Sequence, residues 1–205
     1  MTLDQICAQI LDKPPAPYRR LVAIVGPPAS GKSTLAARVA RRLTAQGEPA
    51  SVVPMDGFHL DDRLLQEDGT QARKGAPHTF DADGFVRMIE ALQSEAPVIY
   101  PVFDRSREIA IAGAGRVPAS CKTVVVEGNY LLLNTPPWTR LHDLWTFTIA
   151  LHLPMDALIQ RLRDRWAEHG KPDAQAWIDT NDVPNITTVR TQSAPADVVW
   201  TETQT

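Results

Sequence analysis

The chain has 205 residues, 43% of them hydrophobic and 22% charged, with a net charge of −3 at pH 7. That length suits one globular domain with a full core, and the slightly acidic balance lacks the basic field that draws nucleic acid. No apolar run approaches the roughly 18 residues of a membrane span, the start "MTLDQICAQILDK" has no signal-peptide organisation, and Cys7 and Cys121 lie too far apart in sequence for a CxxC metal or redox motif. The expectation is a single domain over residues 1–205 in the cytoplasm, with a small-molecule substrate, no nucleic-acid or membrane partner, and a homodimer left open.

Along the chain, residues 3–13 carry Leu3, Ile6, Cys7, Ile10 and Leu11 at helical spacing before "PPAP" at 14–17 breaks the pattern. "RLVAIV" at 20–25 reads as a buried strand, and "STLAARVARRLTAQG" at 33–47 reads as a helix stopped by glycine. The alternation continues through "SVVPMD", the helix "DGFVRMIEALQSE", "PVIYPVFD", "TVVVEG", the short helix "WTRLHDL", and "TFTIALHL" leading into the helix "MDALIQRLRDRWAEHG". Repeated strand and helix predict an α/β fold with a mainly parallel sheet covered on both faces. "IAIAGAGRVPAS" at 109–120 predicts a small hairpin excursion, and "NDVPN" at 181–185 reads as a loop with no catalytic role.

Between the first strand and the helix after it stands "GPPASGKST", residues 26–34, which fits GxxxxGK followed by Ser or Thr. A glycine-rich turn at that place lets backbone N–H groups converge on phosphate at a helix N-terminus. Gly26, Pro27, Pro28, Ala29, Ser30, Gly31, Lys32, Ser33 and Thr34 are therefore the candidate nucleotide-binding residues. Lys32 would reach the β and γ phosphates of ATP, and Ser33 would bind the Mg²⁺ carried with it. Glu127, closing the apolar run "TVVVE", is the second candidate metal ligand, because strand C-termini share one edge of such a sheet with the phosphate loop.

Three classes use such a loop. A GTPase switch needs an NKxD-type guanine reader, and no asparagine in this chain precedes a lysine; "DADG" at 81–84 meets a DxxG pattern but follows a polar loop. A transport ATPase carries a further glycine-rich signature that is also missing. A small-molecule kinase needs a proton acceptor beside the substrate hydroxyl and cations over the moving phosphoryl group. Asp56, ending the second strand in "VVPMDGFH", supplies the first, and Arg161 and Arg165, four apart on one helix face, supply the second.

The phosphate loop, "MDGFH", "RKGAPHTFDADGF", "PVFDR" and "VVVEGNYLLL", in that order over roughly residues 20–200, resemble the phosphoribulokinase and uridine kinase family. They are most similar to its bacterial branch labelled fructose transport system kinase, with type I pantothenate kinase and nicotinamide riboside kinase related. The resemblance implies a P-loop NTPase fold of three α/β/α layers, with a helical lid around 160–175 whose arginines offset phosphoryl charge. It implies Asp56 as the catalytic base. It also implies an acceptor pocket in which Phe58 stacks on or shields the substrate, His59 and Asp104 bond hydroxyls, and Arg73, Lys74 and Arg105 bind an anionic group. "MDGFH" departs from the nucleoside-kinase pattern, so the expected acceptor is a sugar-like or polyol metabolite. Pantothenate-type or nucleoside-type acceptors, and a regulator that binds ATP without transferring phosphate, stay as alternatives.

Overall fold

In the computed structural model, which describes residues 1–15, 17–170 and 172–201, the chain runs as follows. Helix α1 (Leu3–Asp12) is opened by a reciprocal cap between Thr2 and Gln5 and buries Ile6, Cys7 and Ile10. Then come β1 (Arg20–Val25), α2 (Lys32–Ala45), β2 (Ala50–Pro54), α3 (Asp62–Glu67), α4 (Ala82–Ala91), β3 (Val98–Asp104), β4 (Ile109–Val117) and β5 (Thr123–Gly128). After a 3₁₀ turn at Trp138–Leu144 follow β6 (Phe147–His152), α5 (Met155–Glu168), α6 (Ala174–Trp177), α7 (Val183–Gln192) and β7 (Val198–Thr201).

Five strands form one parallel sheet in the order β2-β5-β1-β6-β7. The central strands β1 and β5 are apolar on both faces because both faces are covered. Leu21, Ala23 and Val25 of β1 join the core that includes Phe85 and Ile89 of α4, while Val22 and Ile24 join the one that includes Leu35 and Val39 of α2. This is the expected three-layer arrangement. The register sets Ile24 beside Glu127 and Val25 beside Gly128, so the exit of β1 and the end of β5 open on the same edge.

Two segments differ from the sequence reading. The run 97–104 does not join the parallel sheet: β3 pairs antiparallel with β4 as a separate two-stranded ribbon, so the hairpin spans both runs rather than folding within 109–120. Its composition explains this. β4, IAIAGAGRV, is made largely of alanine and glycine and is exposed along most of its length, so the partner of β3 lacks the two apolar faces a central position demands. Tyr100 hooks the ribbon to the sheet by donating from its hydroxyl to the Val52 carbonyl at 3.0 Å. The second difference is at 178–192. Instead of a loop, a π-helical turn (Ile178–Asp182) continues without a break into α7, and the Thr180 carbonyl, four residues before Pro184, accepts from Arg73 in place of the N–H that proline lacks. Among the described residues, no helix is long and apolar enough to cross a membrane.

Candidate active site

The turn from β1 into α2 is shaped by two left-handed residues, Ala29 (φ 62°) and Gly31 (φ 89°), the second costing little because glycine has no Cβ. Gly26 is needed for space: a Cβ there would stand 2.6 Å from the Ser30 hydroxyl. That hydroxyl is buried and makes no hydrogen bond to any described residue. No side chain caps the N-terminus of α2, and its first turn carries no acidic residue, so its positive end faces the cleft uncompensated. Lys32, 9% exposed, donates from Nζ to the Pro27 carbonyl at 3.0 Å. Burial pushes its pKa down, against the opposing pull of Glu127 and Asp56. Uncompensated donors, a buried ammonium and an unpartnered hydroxyl form a set suited to polyphosphate.

Ser33 Oγ donates to Glu127 Oε1 at 2.9 Å, joining the start of α2 to the end of β5. Burial raises the Glu127 carboxyl pKa, with Lys32 opposing it. Among the described residues, no three of His, Cys, Asp and Glu gather where they could hold a metal by themselves. A cation at Ser33 and Glu127 would therefore take its other ligands from phosphate oxygens and water, the coordination Mg²⁺ favours.

Across the cleft, Asp56 lies in a 3₁₀ turn (Met55–Phe58) directly after β2 and is ion-paired through Oδ2 with Arg105 Nη2 at the end of the ribbon. The His59 ring has Nδ1 2.8 Å from the Asp56 carbonyl and packs between Phe80 and Phe103, at 4.1 and 4.7 Å between ring centres. Burial lowers its pKa, which keeps the ring neutral near pH 7. Lys74 reaches Asp62 at 2.7 Å and Glu108 at 3.5 Å, and lies over the Phe103 ring.

Three residues expected on the acceptor are placed elsewhere. Phe58 turns into the core, 9% exposed and edge-on to Phe85 at 5.2 Å, because the 3₁₀ turn directs it under the sheet edge rather than into the cleft. Asp104 is engaged locally by the Ser106 amide and hydroxyl and by Arg107, which hold its carboxyl at a pKa of about 2 and close the ribbon turn. Arg73 donates to the Thr180 carbonyl at 2.6 Å and to Asn185 Oδ1 at 3.2 Å, tying the loop after α3 to the start of α7.

On α5, Arg165 faces the cleft beside the Trp166 ring, and Arg161 Nη1 is 3.6 Å from where a Cβ on Gly31 would stand, over the phosphate loop. Arg163 points away and bonds Gln175 at 3.0 Å. The segment 181–185, read as a plain loop, joins the site's two walls. Asn181 donates from Nδ2 to the Lys74 carbonyl at 2.8 Å, Asn185 lies on Asn181 at 3.4 Å, and Asp182 accepts from Trp166 Nε1 at 2.8 Å. The signal for it was two asparagines four apart among Ile178, Ile186 and Val189, a polar pair on an apolar helical face.

These elements enclose a cleft of about 980 Å³, lined by the phosphate loop, Asp56, His59, Lys74, Arg105, Glu127, Asn129, Arg165 and three further aromatic rings, Phe103, Trp166 and Trp177. No protein-family profile matches the chain. A crystal structure from Silicibacter sp. TM1040, named as a fructose transport system kinase, superposes with a TM-score of 0.94 at 48% identity, covering 98% of this chain and 99% of that one. A Schizosaccharomyces pombe protein bearing a uridine kinase name is 32% identical over 195 residues, 88% of this chain and 82% of its own length. The Escherichia coli protein YggC is 33% identical over 192 residues, 89% of this chain and 78% of its own length. The phosphate loop, the parallel sheet that presents it and these relatives lead to one assignment: the chain belongs to the phosphoribulokinase/uridine kinase family of P-loop kinases, ATP-dependent phosphotransferases that act on an alcohol group of a small molecule.

Proposed function

We propose that the chain transfers the γ-phosphoryl group of ATP to a hydroxyl of a sugar-like or polyol metabolite, with residues 1–205 acting as one kinase domain and the stretch around 160–175 as its lid. The observation that carries this reading is the placing of Asp56. Its carboxylate faces the Lys32 end of the phosphate loop across the cleft and is oriented by Arg105 from the ribbon. In this reading Asp56 takes the acceptor proton, and the backbone of residues 26–34 with Lys32 cradles the phosphates. Ser33 and Glu127 hold Mg²⁺, which when bound supplies charge neutralisation at the phosphate oxygens. Arg165, with Arg161 over the loop, offsets charge developing on the moving group. His59 and Arg105 offer bonding groups to acceptor hydroxyls, while Phe58 and Asp104 support the wall from behind.

A nucleoside-type acceptor is the second reading, favoured by Phe103, Trp166 and Trp177 on the cleft wall, since flat rings stack on such surfaces. Incubating the protein with Mg-ATP and separate pools of sugars, sugar acids, vitamins and nucleosides, then measuring ADP and product mass, tests both. The sugar and polyol pools should be phosphorylated. A phosphorylated nucleoside with inert sugars would transfer the assignment to the second reading. Tight ATP binding with no acceptor-dependent ADP would make the chain a nucleotide-sensing regulator.

A further inference from the structure

The acceptor wall has a charge pattern that the proposed reaction does not by itself require. Asp56, Asp62 and Glu108 bring three carboxylates to it, against two cations, Lys74 and Arg105, and each cation is already ion-paired. Arg105 is committed to Asp56, the proposed base, so a substrate anion recruiting that guanidinium would leave the base beside a second negative charge. Lys74 is held more completely. Its side chain is 13% exposed, and its ammonium takes the Asp62 carboxylate, the Glu108 carboxylate and the Glu108 carbonyl at 3.2 Å, all over the face of Phe103. Glu108 occupies the ribbon tip in the left-handed region (φ 55°), a conformation costly for a residue with a Cβ, and there both its carboxylate and its carbonyl reach Lys74. Asn181 fixes the Lys74 backbone from the opposite side. The neighbouring His59 ring adds bonding atoms without positive charge.

We propose that this wall selects an uncharged acceptor, a neutral polyhydroxy compound, and rejects acids and phosphate esters of the same skeleton. The inference rests on the kinase reading above and narrows it. The sequence suggests the reverse, an anion held by Arg73, Lys74 and Arg105. The structure engages Arg73 with Thr180 and Asn185 and pairs the other two with carboxylates. One carboxylate beside the acceptor, taken at a separation of about 8 Å and an effective dielectric of about 20, disfavours an anion by roughly 30-fold; Arg165, facing the same cleft from α5, offsets part of this, and desolvation of the anion adds to it.

Matched pairs presented with Mg-ATP test the proposal: glycerol against glycerate, glucose against gluconate, pantothenol against pantothenate, uridine against its monophosphate. Wherever a pair is turned over, the neutral member should be preferred in kcat/KM by roughly 30-fold or more. Preference for the anionic member would overturn the inference. Glu108→Gln and Asp62→Asn should narrow the ratio by on the order of tenfold each, since they remove the repelling charge and loosen Lys74; an unchanged ratio in both would count against it. A second measurement needs no acceptor. With the protein saturated by Mg-AMP-PNP so that the γ-phosphate position is filled, calorimetric titration with sulfate should give no saturable binding below about 10 mM. Saturable binding that Arg105→Met or Lys74→Met abolishes would refute the proposal. The preceding AMP-PNP titration reads the phosphate loop separately: a chain that binds no nucleotide would overturn the kinase reading, and this inference with it.

Discussion

Gly57 is the residue on which the placing of Asp56 depends, and Gly57→Ala is the substitution we expect to show it. Gly57 does not adopt a positive φ; it is glycine because the ribbon crosses directly over it. A Cβ built there would lie 2.0 Å from the Pro101 carbonyl oxygen, 2.6 Å from its carbon and 3.1 Å from the Val102 nitrogen. All three are backbone atoms of β3, so no side chain can rotate away. Restoring ordinary contact at about 3.4 Å requires the ribbon to lift by roughly 1.4 Å, and overpacking of this kind costs about 1–3 kcal/mol. For a chain of this size that is a fall in Tm of roughly 2–12 °C. Arg105 ends the same ribbon, so the lift also separates it from Asp56, and a misplacement near 1 Å at a reacting group costs on the order of 100-fold in rate. Differential scanning fluorimetry together with kcat for the acceptor identified in the pooled assay measures both effects. ATP affinity should hold, because the atoms a Cβ would displace all belong to β3 and none to β1 or the phosphate loop. A variant with wild-type Tm and wild-type kcat would refute the claim that β3 packs on this glycine and, through it, positions the Asp56–Arg105 pair.

Asp56→Asn keeps the size and most of the hydrogen bonding but removes the proton acceptor, so turnover should fall by roughly 100-fold or more with nucleotide affinity retained; near-normal kcat would move the base elsewhere. Asn181→Ala leaves the Lys74 carbonyl without its buried donor, at a cost of about 1–3 kcal/mol in denaturant unfolding, and should raise the KM for acceptor far more than the KM for ATP. Equal changes in the two KM values would reduce Asn181 to a purely structural role. The raised Glu127 carboxyl fixes the sign of one pH effect. Above its ordinary value of 4.5 the native state holds more protons than the unfolded chain, so ligand-free stability contributed by this group is full below that pH and declines as pH rises through the raised pKa. Glu127→Gln should flatten that slope in urea melts taken between about pH 4.5 and 7. Mg²⁺-dependent nucleotide affinity should climb over the same interval in the parent protein, because the cation requires the carboxylate.

The parts of the molecule that are readable along the chain are those whose constraints are local or repeat with a short period. β1 and β5 had to be unbroken apolar runs because both faces are buried, and the nine residues from Gly26 to Thr34 carry the glycines, lysine and hydroxyls that one loop needs. Glu127 could be found for a related reason: parallel pairing in register with β1 carries the end of β5 to the loop without any side-chain detail. What stayed hidden depends on facing and on long separations. Whether Phe58 points to substrate or core turns on how one 3₁₀ turn leaves β2, and the residues on either side do not encode that direction. The run 97–104 has enough apolar side chains for an interior strand, and only the poverty of its partner at 109–117 shows that it must pair outside the sheet. The contact between Asn181 and the Lys74 carbonyl joins positions 107 apart. Each alone reads as an ordinary polar residue near a turn, and the need for both appears only when the fold buries an amide that requires a partner. Such a bond links the loop after α3 to the π-turn, while Asp182, the next residue, holds Trp166 of the helix carrying Arg165. The segment with the weakest local signal therefore joins the proposed acceptor wall to the helix bearing Arg161 and Arg165, and substitutions there should act on acceptor binding before they act on nucleotide.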